Sequence, residues 1–188
     1  MEPIQLDFPT EFYTDRLHIR YPVPGDGKAV HQSIEASLVE LKPYMLFAHM
    51  NQTETEVEAN IRESNAAFLK REDLRLLLFH KQTGEFIGSS GLHRIDWKVR
   101  KFEIGYWIDS RYSGQGYMTE AVKGMVEFAI RELHAKRIEI RCNAENWQSR
   151  KVAERCFFQL EAILKNDRRS IDKRKLIDTC VYARTDIQ

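Results

Sequence analysis

The segment Arg111-Tyr-Ser-Gly114-Gln-Gly116-Tyr-Met-Thr119 joins an alternating apolar stretch, 102–109, to a helical pattern. Glycine at 114 and 116 permits positive φ or a close approach of a ligand to the backbone. The first turn of the adjoining helix offers unpaired N–H groups and the positive end of a dipole. Arg111 adds a charge. These features describe an anion site that suits a pyrophosphate. The spacing, R-x-x-G-x-G, is not GxxxxGK[ST], because the loop has no lysine. It is not GxGxxG either, because Tyr117, Met118 and Thr119 come after the second glycine. On its own such a loop is an ordinary strand–helix turn.

A second constellation stands at 143–149, Asn-Ala-Glu-Asn146-Trp-Gln-Ser149. It comes after an alternating segment, 136–142, expected to run parallel to 102–109. Ligands in such sheets sit at the carboxyl ends of the strands, where neighbours part. N-capping accounts for one of Asn146 and Ser149, not for both. Cys142 ends the same strand. His49, His80 and His93 have no metal-ligand spacing, and Cys142, Cys156 and Cys180 include no CxxC pair. No metal is expected, and the odd cysteine count suits a reduced, cytoplasmic chain.

These residues need elements to hold them. The chain has 188 residues, 43% hydrophobic and 30% charged, with 29 basic and 28 acidic side chains, for a formal net charge of +1. This suits one globular domain over 1–188. It argues against a protein that coats nucleic acid. No run approaches a membrane span, and the acidic N-terminal stretch has no apolar core of a signal peptide. The patterning predicts strands at 16–20, 74–80, 86–95, 102–109, 136–142, 158–164 and 176–184. Helices are expected at 27–41 (Asp26 as N-cap), at 54–71 behind a Thr53/Glu56 capping box, at 116–134 and at 148–156. Seven strands and four helices in this order give an α+β fold. An antiparallel region joins a β-α-β crossover in a mixed sheet with helices on both faces.

Four pieces, TDRLHIR at 14–20, EIGYWID at 103–109, RYSGQGYMTEAV at 111–122 and NAENWQSRKVAER at 143–155, together resemble the GNAT-superfamily N-acetyltransferases, in the RimJ/RimL-like branch that acetylates ribosomal-protein N-termini. One departure is Phe157, where the family usually has glycine before Phe158. The resemblance implies acetyl-CoA as donor and an amine acceptor attacking directly. It implies that Ser113, Gly114, Gln115, Gly116, Tyr117, Met118 and Thr119, with Arg111, hold the pyrophosphate. The backbone of Trp107 and Ile108 then pairs with the pantetheine arm, and Asn146 holds that arm from the other side.

Within that frame Glu103, on the strand face of Trp107, is the candidate base, and Ser149 is the candidate acid for the departing thiolate. Cys142 is expected near the thioester without taking the acetyl group, and able to form a reversible disulfide with CoA under oxidising conditions. Tyr44 and His49 border the acceptor, while Phe47 suits the core. Segment 165–175, with six basic and two acidic residues, reads as a solvated loop, with steering of an acidic acceptor as a second role. The expected acceptor is a protein N-terminal α-amine. A small amine (polyamine, amino acid or antibiotic), or a CoA-binding module without catalysis, is the alternative. A monomer or homodimer with no nucleic-acid or membrane partner is expected.

Overall fold

The computed structural model describes residues 2–185. Eight strands form one sheet: β1 Glu11–Tyr13, β2 Leu17–Arg20, β3 Leu74–His80, β4 Phe86–Asp96, β5 Lys101–Ile108, β6 Arg137–Asn143, β7 Gln159–Arg169 and β8 Leu176–Arg184. Their spatial order is β1-β2-β3-β4-β5-β6-β8-β7. Every neighbouring pair is antiparallel except β5 and β6. The helices are α1 Gly27–Ala36, α2 Leu38–Leu41, α3 Glu54–Lys70, α4 Tyr117–Arg131 and α5 Trp147–Arg155.

The near-continuous apolar run of β3 results from burial on both faces. Leu76 and Leu78 join the cluster beneath α4, with Met118, Val122 and Met125. Leu77 and Phe79 join the opposite cluster, with Val30 of α1 and Val57 and Ile61 of α3. The capping box of α3 forms as expected. The Thr53 hydroxyl accepts from the Glu56 amide at 3.3 Å, and the Glu56 carboxylate accepts from the Thr53 amide at 2.7 Å.

Four expectations need correction. The sheet has eight strands rather than seven, because residues 11–13 pair back on β2 through a tight turn at Thr14–Leu17. Three residues are too few for a period to show. The helix expected over 27–41 breaks at Ser37, whose φ of −120° and ψ of 12° are not helical. The Ser37 hydroxyl instead accepts from the Ser110 amide at 2.9 Å, docking the helix break onto the end of β5. Asp26 precedes α1 without capping it, and its carboxylate takes both ends of the Arg20 guanidinium, at 2.6 and 2.8 Å. Finally, β7 runs on to Arg169, so half of the segment expected as a loop is strand, with a register shift beside Asn166 at φ 51°.

The parallel pair creates the space for a ligand. β5 and β6 are in register only at Lys101/Arg137, Phe102/Ile138 and Glu103/Glu139. Beyond these three rungs the strands part, and a wedge opens toward their carboxyl ends.

Candidate functional site

β5 ends at Ile108, Asp109 follows it, and the glycine loop turns the chain into α4. Gly114 and Gly116 have φ of +76° and +83°, the left-handed region that L side chains rarely adopt. Gly116 is the residue before α4. Its conformation aims the amides of the first helical turn outward, where no side chain caps them.

The loop is braced from two sides. The buried Asp109 carboxylate accepts from the Arg111 guanidinium at 2.5 and 2.9 Å and from the Arg111 amide at 2.9 Å. Burial alone would raise the Asp109 pKa, but these bonds hold it below the usual carboxylate range. From the other side, Glu120 in the first turn of α4 accepts from the Thr14 hydroxyl at 2.6 Å, the Arg16 amide at 2.8 Å and the Arg16 guanidinium at 2.6 Å. Arg16 also donates to the Gln115 carbonyl at 3.1 Å and lies over the Tyr117 ring at 4.2 Å. Thus the TDRL segment, distant in sequence, is bolted to the glycine loop.

A cavity of about 870 Å³ occupies the wedge. Of the residues expected at the cofactor, Trp107, Ile108, Ser113, Gly114 and Gly116 line it, as do Tyr117, Met118, Thr119 and Asn146. Ser149, Tyr44 and His49 line it as well. Three expected residues do not. Arg111 is occupied by Asp109, and the Gln115 side chain folds back to donate to the Arg111 carbonyl at 3.1 Å. Glu103 lies on the still-paired part of β5, where it accepts from Arg94 at 3.1 Å. It stands outside the cavity wall, and the ion pair accounts for it.

The reacting end is built around Ser149. The Asn146 side chain caps α5 by accepting from the Ser149 amide at 3.1 Å, which fixes the residue in the first turn. The Tyr106 hydroxyl, on β5, lies 3.0 Å from both the carbonyl and the hydroxyl oxygen of Ser149. Burial pushes the Tyr106 pKa up, so its proton stays in place at any ordinary pH. Cys142 closes the group from β6. Burial raises its thiol to about 11, against a smaller opposing effect of the Ser149 hydroxyl. Such a thiol is a poor nucleophile at neutral pH.

On the acceptor side Phe47 packs against Trp107, ring centroids 5.7 Å apart, and Tyr44 is exposed at the mouth. His49 lies 2.8 Å from the Lys42 carbonyl. Sequence reasoning missed Tyr106, which alternation assigned to the apolar face of β5. It also missed Lys151 and Arg155 of α5, which line the cavity without a carboxylate partner among the described residues. Their four-residue spacing on one helix face was the available signal.

The arrangement fits a CoA thioester. Amides at the helix N-terminus and the two α5 cations suit phosphates, and the parted strands suit an extended arm. Among the described residues no group of three or more His, Cys, Asp or Glu could hold a metal ion, and no helix is long and apolar enough to cross a membrane.

Comparison with known proteins agrees. The chain is 28% identical over 171 residues to N-acetyltransferase p20 of Bacillus licheniformis, covering 91% of this chain and 93% of that one. It is 28% identical over 152 residues to the ribosomal-protein-serine acetyltransferase of Escherichia coli, covering 81% and 84%. Among solved structures, MccE, a microcin self-immunity acetyltransferase in complex with acetyl-CoA and AMP, superposes with a TM-score of 0.86 at 20% identity, covering 95% and 97%. RimL, a ribosomal-protein α-N-acetyltransferase in complex with coenzyme A, gives 0.84 at 22%, covering 94% and 96%. The family described as "Acetyltransferase (GNAT) domain" matches residues 16–159. That span begins at Arg16 in the braced turn and ends where β7 starts, so the chain belongs to the GNAT acetyltransferases and is an acetyl-CoA-dependent enzyme.

Proposed function

We propose that the chain moves the acetyl group of acetyl-CoA to the N-terminal α-amine of a protein, by direct attack of the amine. The observation that carries this reading is the lining of the cavity. One cavity is lined by the glycine loop, by Ser149, by Tyr44 and by Ser170, Ile171 and Asp172 of the turn that joins β7 to β8. An extended chain end would enter between Tyr44 and that turn while the cofactor lies along the glycine loop. The ribosomal-protein acetyltransferases among the relatives and neighbours support the same acceptor.

When bound, acetyl-CoA supplies an acyl group on a thiol leaving group. The amides at Gly116–Thr119 would hold the pyrophosphate, with Lys151 and Arg155 beside them. The backbone at Trp107 and Ile108 would pair with the arm where β5 loses β6, and an N–H there would polarise the thioester carbonyl. Ser149 would protonate the departing sulfur and be reprotonated from solvent, which takes up the proton that the attacking amine loses, and Tyr106, which keeps its proton, would hold the Ser149 hydroxyl in position. An α-amine, with a pKa of about 8, needs a weaker base than a lysine side chain at about 10.4. That fits a site whose nearest expected base, Glu103, is held outside by Arg94. Cys142 is a bystander close enough to react when oxidised. The RimL structure with coenzyme A in a disulfide to one of its own cysteines supports such proximity.

The test is thiol release from acetyl-CoA across peptides with free N-termini, the same peptides N-blocked but carrying lysine, and small amines. Release with free N-termini only is expected, with intersecting kinetics that survive Cys142→Ala. Turnover confined to small amines or lysine peptides would overturn the acceptor. Cofactor binding without release by any amine would leave a non-catalytic module.

A further inference from the structure

The acceptor mouth carries a cation, Arg168, with no counter-ion among the described residues. Arg168 is on β7, in register with Ile177 of β8, and both residues line the cavity. Three residues further along β8, Cys180 pairs with Cys142 of β6. Arg168 thus lies two strands over from Cys142 in the lining of the same cavity, and its charge works in a small way against the rise of the Cys142 pKa. Two of the carboxylates on this wall already have partners. Glu145 takes Lys175 at 2.8 and 2.9 Å. Asp172 takes the Ser170 hydroxyl at 2.6 Å and the Arg174 amide at 3.1 Å. Glu40, without an ion pair among the described residues, is offset by Lys42 two positions on, which lines the same mouth. Basic side chains outnumber carboxylates along the whole wall, although the chain is nearly neutral.

We infer that Arg168 selects acceptors carrying a carboxylate close to the reacting amine, such as a peptide whose second or third residue is Asp or Glu, and that the site disfavours polycationic amines. The inference rests on the acetyl-transfer reading above and names the acceptor class for that site. A guanidinium presents a planar fork that matches a carboxylate with two hydrogen bonds. A polyamine or an aminoglycoside needs the opposite lining, with carboxylates left free.

The experiment compares matched free-N-terminal peptides that differ only in having Asp, Asn or Lys at positions two and three, together with free aspartate and spermidine. Wild type, Arg168→Ala, Arg168→Lys and Arg174→Ala are assayed, the last being a nearby cation outside the cavity wall. The acidic peptide is expected to exceed the basic one by about tenfold in kcat/KM, mostly through KM. Arg168→Ala should reduce that ratio to near unity, Arg168→Lys should restore part of it, and Arg174→Ala should leave it unchanged. Equal use of acidic and basic peptides by the wild type would overturn the inference. So would a preference that survives Arg168→Ala or vanishes in Arg174→Ala. If every peptide is inert while a small amine turns over, the N-terminal reading fails separately. The charge rule is then decided by aspartate against spermidine in wild type and Arg168→Ala.

Discussion

A serine hydroxyl becomes useful as an acid only when something fixes it. Here the helix cap fixes the Ser149 backbone and Tyr106 fixes its oxygen. Ser149→Ala is therefore expected to lower kcat by about 10- to 100-fold while leaving the Kd for acetyl-CoA nearly intact, because the bond matters mainly in the transition state. Tyr106→Phe should lower kcat less. The double variant should be no worse than Ser149→Ala alone, since both act through one group. Steady-state kinetics with calorimetric titration checks this. Asn146 and Ser149 were legible in the sequence because polar residues at a strand–helix junction stand out. Tyr106 was not, since alternation groups it with Phe102 and Ile104. Glu103 was legible as a carboxylate on the face of Trp107, but position along a strand is easily underrated. Four residues amount to about 13 Å, enough to leave it among the paired rungs rather than in the wedge.

The glycine loop and the end of α5 each hold a residue in the left-handed region, and they predict opposite outcomes. Gly116→Val should cut acetyl-CoA affinity at least about tenfold with the fold retained. At φ +83° a β-branched side chain costs upward of about 1 kcal/mol and distorts the turn that aims the α4 amides. Titration calorimetry reads this, and unchanged affinity would refute the phosphate role of the loop. Phe157 has φ +63° just past α5, is 72% exposed, and the Phe158 amide closes the turn on the Ala153 carbonyl at 3.0 Å. This geometry favours glycine. Phe157→Gly should accordingly stabilise the protein by about 1 kcal/mol, seen as a higher denaturant midpoint. Phe157 thus makes a strained helix end. Other features escaped because they depend on distant partners. The break at Ser37 needs Ser110, and β1 needs β2, so no local period announces either one.

Across the molecule, Glu120 joins the N-terminal hairpin to the cofactor loop. Burial would raise its pKa, but Thr14 and the Arg16 amide and guanidinium lower it below the usual glutamate value. A depressed carboxylate pKa contributes stability that is complete above the unfolded value, about 4.3, and is lost as pH falls through the lower folded value. The stability gap between wild type and Glu120→Gln should hence be constant from about pH 6 to 8, at about 1–2 kcal/mol, and close below about pH 4. Denaturation midpoints across that range check the sign. The order of the sheet has a mechanical corollary. Strands β1 to β5 make one panel, β6, β8 and β7 another, and only three parallel rungs stitch them along the sheet. A tensile load applied across the panels should concentrate at that seam. A ligand seated in the wedge, touching both sides, would act as a rivet. In an optical trap with handles on β2 and β8, acetyl-CoA should raise the rupture force of the first event and leave later ones unchanged.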